Sequence, residues 1–193
     1  MNEAVLLLVL LNFGAIGLLT VRFFRSDFQP TLKWLAAALP HFACPGLLIA
    51  AYLADLNPIA PQGWTRPLEI VAVVLSASSI ALMFFTWGNH RIPLAHFHQH
   101  DDVPEHIVTH GAYQRIRHPF YASYFLLYVA AAAVFPHWGS LGILAYVIVA
   151  MNLTAAGEER RLSDSEFGDE YRRHIARTGR FMPTPVRGSA PVR

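Results

Sequence analysis

The sequence predicts an all-α, polytopic membrane protein with about five transmembrane helices. Three observations carry that prediction. Hydrophobic residues make up 54% of the 193 residues and charged residues only 15%. An average soluble domain is about 25% charged, so a soluble fold of this chain would lack polar surface. The apolar residues are gathered into five runs with polar segments between them. Finally, segments 22–33, 89–118 and 158–193 hold fourteen of the fifteen Lys and Arg residues, while segments 55–66 and 135–138 hold only Arg66. Basic residues mark cytoplasmic loops. The alternation therefore places the N-terminus outside and the C-terminus, with every basic segment, on the cytoplasmic face.

The first helix is expected over residues 3–24. Its apolar stretch, Val5 to Phe24, follows Glu3 rather than a basic segment, and no small-residue cleavage site comes after it. It reads as a transmembrane helix rather than a signal peptide. The second helix, 32–54, contains Pro40, His41 and Pro45. It should kink, and neighbouring helices must satisfy the carbonyls that proline leaves without a donor. Asn57-Pro58 and Pro61-Gln62-Gly63 mark a turn-rich loop. The third helix, 67–88, offers Ser76, Ser78 and Ser79 as small residues suited to close helix packing. Residues 119–134 and 139–157 form a helical hairpin across Pro136-His137-Trp138-Gly139. In residues 159–177, Phe167, Tyr171 and Ile175 recur at helical spacing among charged residues, which predicts an amphipathic surface helix. The expected organisation is helices 1–3 in residues 1–88, a catalytic region in 89–183 and a tail in 184–193. Cys44 is the sole cysteine, so no intramolecular disulfide and no multi-cysteine zinc site exists, and its apolar setting reads as buried packing. A net charge of +2 gives no reason to expect a nucleic-acid partner.

Chemistry concentrates in two polar stretches. The first runs from His106 to Tyr121, and the second is Glu158-Glu159 at the foot of the last apolar run. Pro119 biases His118 away from helix and suits the first turn of the helix that follows. Arg117 and His118 thus stand at a helix N-terminus, which favours an anionic group. For Glu159 an alternative is a structural role as a partner for an arginine at helix spacing.

Taken together, His106-Ile107-Val108-Thr109, Gly111-x-Tyr113 and Arg117-His118-Pro119-x-Tyr121, then Glu158-Glu159 and Phe167-Gly168-x-x-Tyr171, form an ordered pattern. It resembles the isoprenylcysteine carboxyl methyltransferase family and the related membrane phospholipid methyltransferases. Thr178-Gly179-Arg180-Phe181-x-Pro183 is similar to the family's ending, so the resemblance covers roughly residues 85–183. It implies S-adenosylmethionine as methyl donor, in a cytoplasmic pocket closed by the C-terminal amphipathic helix, and a lipophilic or small amphiphilic acceptor from the bilayer. It further implies that His106, Ile107 and Val108 border the adenosine. Tyr113, Arg117, His118, Pro119 and Tyr121 would line the cofactor, Glu158 would meet its ammonium group, and His98 would make a polar contact. Such a donor needs an acid, hydrogen-bond donors and aromatic faces, and the two stretches supply all three. The family's prenylcysteine enzymes carry an arginine about one turn before the carboxylate pair. Here that place is Asn152 to Gly157 without a base, which points to an acceptor other than a prenylcysteine carboxylate. Carboxylate, thiol and amine acceptors all stay open.

Three other classes fit parts of the pattern. His90, His96, His98, His100, His106 and His110 read as ligands of a membrane metal oxygenase, but only His137 and His174 lie beyond His118, so no second cluster follows. A sterol-reductase-like enzyme using NADPH shares an Arg-His-Pro-x-Tyr-type segment, usually on a chain with more helices. A non-enzymatic membrane protein on the same scaffold is the third. No metal is expected for the methyltransferase reading.

Overall fold

A computed structural model describes residues 1–23, 32–88 and 107–184. Within them the chain is all-helical: α1 (Glu3–Phe23), α2 (Leu32–Leu53), α3 (Thr65–Gly88), α4 (Pro119–Val134), α5 (Trp138–Ser163) and α6 (Gly168–Ile175), with short 3-10 turns at Gln62–Trp64 and Gly111–Gln114. No strand is present among the described residues. The helices at Gln62–Gly88 and Trp138–Ser163 are long and apolar enough to cross a membrane, and the shorter apolar helices are Glu3–Leu18, Ala38–Leu53 and Pro119–Val134.

The helix α4 is apolar all round and lies at the centre, as such helices must. It packs against α1, α2, α3 and α5, most extensively against α3. The buried run Ala130 to Ala133 lets neighbouring backbones come close. Val9, Phe13, Ile16, Leu48, Leu127 and Val147 fill the remaining core. The outward faces stay apolar: Leu11, Leu18, Phe42, Val74, Val149 and Leu153 are all exposed.

Polar side chains tie the helices together inside this apolar frame. The buried Asn12 Nδ2 of α1 donates to the carbonyl and hydroxyl of Ser76 in α3, both at 3.0 Å. Ser79 Oγ donates to the Ser123 carbonyl of α4 at 2.8 Å. Ser78, expected at a packing face, instead points outward and bonds its own helix at the Val74 carbonyl. Pro40 lies within α2 and lacks the N–H that would serve the Ala36 carbonyl. Tyr146 Oη of α5 donates to that carbonyl at 2.9 Å, so a neighbouring helix does satisfy the group proline leaves open.

Two contacts define one end of the bundle. Tyr52 Oη, at the end of α2, donates to Glu3 Oε1 at the start of α1. The Ile59 N–H, in the loop before α3, donates to the Pro136 carbonyl in the hairpin turn. The sequence-poor segments in Lys and Arg thus meet there. The opposite end carries the start of α4, the foot of α5 and α6.

One boundary differs from expectation. The surface helix was expected from residue 159, but α5 continues through Glu158-Glu159 to Ser163 and α6 spans only Gly168–Ile175. Glu, Arg and Leu over 158–162 are strong helix formers and carry α5 on. Ser163, Asp164 and Ser165 then compete with the helix ladder. Ser165 Oγ donates to the Leu162 carbonyl and accepts from the Phe167 N–H. Arg172 Nη1 donates to the Ser163 carbonyl at 2.6 Å, tying α6 back to the foot of α5.

Candidate functional site

The site begins where the chain enters α4. Gly111 opens the 3-10 turn with a positive φ of 61°, a conformation that costs glycine little. The turn delivers Arg115 to His118 alongside the C-terminal segment. Ile116 and Gly179 form an isolated parallel bridge. Within it the Gly179 N–H donates to the Arg115 carbonyl, the Arg117 N–H to the Gly179 carbonyl, and the His118 N–H to the Arg180 carbonyl at 3.0 Å. A side chain at Gly179 would collide with the Met182 carbonyl, so the turn after this pairing requires glycine.

This docking gathers residues far apart in sequence around Glu159. Arg117 Nε donates to Glu159 Oε1 at 2.8 Å. Arg180 grips the same carboxylate side-on, from Nε to Oε1 at 3.1 Å and from Nη2 to Oε2 at 2.6 Å. His118 Nε2 donates to Oε1 at 3.2 Å. Three donors meet Oε1 and one meets Oε2, so both oxygens of Glu159 are engaged within the protein. Arg117 is fixed further by the carbonyls of Ile175 and Thr178. The anion expected at the N-terminus of α4 is therefore met from within the protein, by Glu159. Arg180 and Glu159 are the residues that sequence reasoning left out of the site. Arg180 lay in a recognised stretch, but only folding shows which acid it meets.

Glu158 stands beside this cluster and is less committed. Tyr121 Oη donates to Oε1 at 2.7 Å, and His118 Nδ1 lies 3.2 Å from Oε2. Among the described residues two acceptor positions therefore stay open, and the side chain is 21% exposed. The His118 and Tyr121 rings stack with centroids 5.4 Å apart and planes 7° apart. Phe181 leans on His118 from the C-terminal segment, at 5.9 Å.

The charges follow from this geometry. Burial by itself disfavours a charged His118, but hydrogen bonds to Glu158 and Glu159 outweigh it and raise its pKa above the ordinary 6.5. Both ring nitrogens face carboxylates, which only accept, so both must carry hydrogens. Burial likewise opposes a charged Glu159, yet the hydrogen bonds from His118, Arg180 and Arg117 prevail and hold it well below the usual carboxylate range. Burial first, and the charge of Glu158 second, push the Tyr113 phenol far up. His174 is driven down by burial and then by the Arg117 charge.

Of the other expected site residues, Ile107 and Val108 are half-buried ahead of the 3-10 turn, Tyr113 is half-buried within it, and Pro119 is buried at the first position of α4. His98 and His106 lie outside the described residues. Among the described residues no group of three or more His, Cys, Asp or Glu side chains is placed to hold a metal ion. No protein-family model matches the chain, and no curated protein aligns with it significantly.

Proposed function

We propose that this protein is an integral membrane methyltransferase that uses S-adenosylmethionine and methylates a lipophilic or small amphiphilic acceptor. The observation that carries the reading is Glu158: a carboxylate with two open acceptor positions, beside stacked aromatic rings, at the polar end of an apolar bundle. The donor presents an ammonium group, a sulfonium and an adenine. The residues fit these: Glu158, held by His118, for the ammonium, and the faces of Tyr113 and Tyr121 for the flat or cationic parts. His106, Ile107 and Val108 are proposed to border the adenosine, with His98 contributing from the preceding stretch.

Several observations support a five-span arrangement with a cytoplasmic site. Only 22% and 17% of the apolar windows of α3 and α5 are buried, whereas the core helix of a soluble protein is mostly covered. Exposed Trp64 and Trp138 stand at the Lys/Arg-poor end, and Phe84, Phe85 and Trp87 at the opposite end of α3. Aromatic residues at both levels match the two interfaces of a bilayer. The described arginines of the start of α4, the foot of α5 and α6 lie at the polar end, so it is read as cytoplasmic.

When bound, the donor would supply an activated methyl group for in-line transfer to the acceptor atom, with its sulfur as leaving group. The protein's part is positioning. Glu158 anchors the amino-acid portion, the aromatic rings set its depth, and the apolar helices bring the acceptor from the bilayer. Calorimetric titration of the detergent-purified protein with S-adenosylhomocysteine, and in parallel NADPH, tests this. Micromolar binding of S-adenosylhomocysteine alone, lost in Glu158→Ala, is expected. Binding of NADPH instead, or binding indifferent to Glu158→Ala, overturns the proposal.

A further inference from the structure

We infer that Glu159 and Arg180 are positioning residues, which hold the Glu158 carboxylate in its ligand-binding pose through the ring of His118. This rests on the proposed cofactor role of Glu158. Links of 2.6 and 3.1 Å join Arg180 to Glu159, a link of 3.2 Å joins Glu159 to His118 Nε2, and another of 3.2 Å joins His118 Nδ1 to Glu158 Oε2.

An imidazole is a rigid plane, so fixing Nε2 and the stacking face fixes where Nδ1 points. The stack on Tyr121 sets the plane, and Glu159 sets the rotation within it. Tyr121 Oη and His118 Nδ1 then take one oxygen each of Glu158, which orients the carboxylate and leaves its outer lone pairs directed away from both. Both oxygens of Glu159 are engaged by Arg117, His118 and Arg180, and Arg180 commits Nε and Nη2 to that carboxylate. Neither is a catalytic residue; both act through His118. Such supporting partners commonly matter as much as the residues they orient.

The arrangement also assigns a purpose to the C-terminal segment. Its backbone pairs with residues 115–118, and its Arg180 completes the relay. The C-terminal segment thus supports the proposed ligand site through His118.

The test compares Glu159→Gln, Arg180→Gln and Arg180→Lys with the parent protein in detergent. Two quantities are read: affinity for S-adenosylhomocysteine by calorimetry, and the titration of His118 by NMR of histidine-labelled protein, assigned with His118→Asn. Glu159→Gln is expected to weaken binding about tenfold and to lower the His118 pKa in the ligand-free protein. Arg180→Gln should do both to a smaller extent, and Arg180→Lys should restore part of each. Unchanged affinity in folded Glu159→Gln overturns the inference. Should Glu159→Gln lose its fold, the same criteria apply to Arg180→Gln, whose side chain is partly exposed. If the parent binds no S-adenosylhomocysteine, the functional reading fails separately. The His118 titration then decides alone: a lowered pKa in Glu159→Gln supports positioning, and an unchanged one overturns it.

Discussion

The ion cluster around Glu159 and the hydrogen bonds of Asn12 both join distant parts of the chain, but they respond to loss in opposite ways. Asn12 and Ser76 are neutral partners between α1 and α3. If one is removed, an uncharged group is left, at a cost near 1 kcal/mol inside an apolar bundle. Glu159 answers two arginines and His118. Its loss strands positive charge in a largely buried place. Breaking such a cluster from one side costs about 3–5 kcal/mol, although the intact cluster need not be worth that much. Charged links therefore gather at the polar end, where water relieves part of their desolvation, and neutral links serve the apolar interior.

The largest expected effect follows. Glu159→Ala should destabilise the protein by about 3–5 kcal/mol in denaturant unfolding. The adjacent Glu158→Ala removes an acceptor from Tyr121 and His118 and should cost about 1 kcal/mol, and under the proposed function it abolishes S-adenosylhomocysteine binding. Equal stability losses at the two positions would break the contrast between a carboxylate held by two arginines and one that is not.

The pH dependence sharpens the same contrast. The pKa of His118 is raised in the fold, so its stabilising contribution is complete below the ordinary 6.5 and is lost as pH rises through the folded value. The pKa of Glu159 is lowered, so its contribution is present above the ordinary 4.5 and fades as pH falls through the folded value. Stability should show a plateau bounded by these two limbs. In His118→Gln the alkaline limb should disappear and the acid limb persist, as read from unfolding midpoints across pH.

These contrasts explain what the sequence made legible. Helices announce themselves through apolar periodicity and proline, so α1 to α4 begin and end within about two residues of expectation. The foot of α5 did not, because its last turns are charged and look like the start of a surface helix, although the same residues are strong helix formers that carry α5 on. At the site, the proximity of His118, Tyr121 and Glu158 was legible as a pattern of residue types. The hub role of Glu159 was not, since its partners lie 42 and 21 positions away. An arginine at helix spacing was the partner the sequence offered Glu159, and the two it meets are remote. The adjacent acids separate only when one points to the arginines and the other toward the aromatic stack.

In the apolar bundle smaller effects are expected. Gly179→Ala belongs to the polar end and should loosen the C-terminal segment, because the new methyl group meets the Met182 carbonyl. Hydrogen exchange at the amides of Arg117 and His118, which donate to Gly179 and Arg180, should accelerate while α4 stays protected. Asn12→Ala should cost about 1 kcal/mol and leave cofactor affinity unchanged.

The smallest effect is assigned to Tyr146→Phe. The hydroxyl of Tyr146 serves one carbonyl, that of Ala36, which Pro40 leaves without its helical donor. Removing the hydroxyl retains the ring and its packing, and it leaves one neutral acceptor open in an apolar setting. The expected loss is about 0.6 kcal/mol, the usual size of a membrane hydrogen bond. Pairing this variant with Pro40→Ala makes the argument stricter. Alanine restores an N–H at position 40, so the Ala36 carbonyl regains a partner within its own helix. Tyr146→Phe should then cost less in the Pro40→Ala background than in the parent, and a double-mutant cycle measures the difference. Strict additivity would mean that Tyr146 stabilises α2 through ring packing alone, and that the bundle does not compensate its proline through this bond.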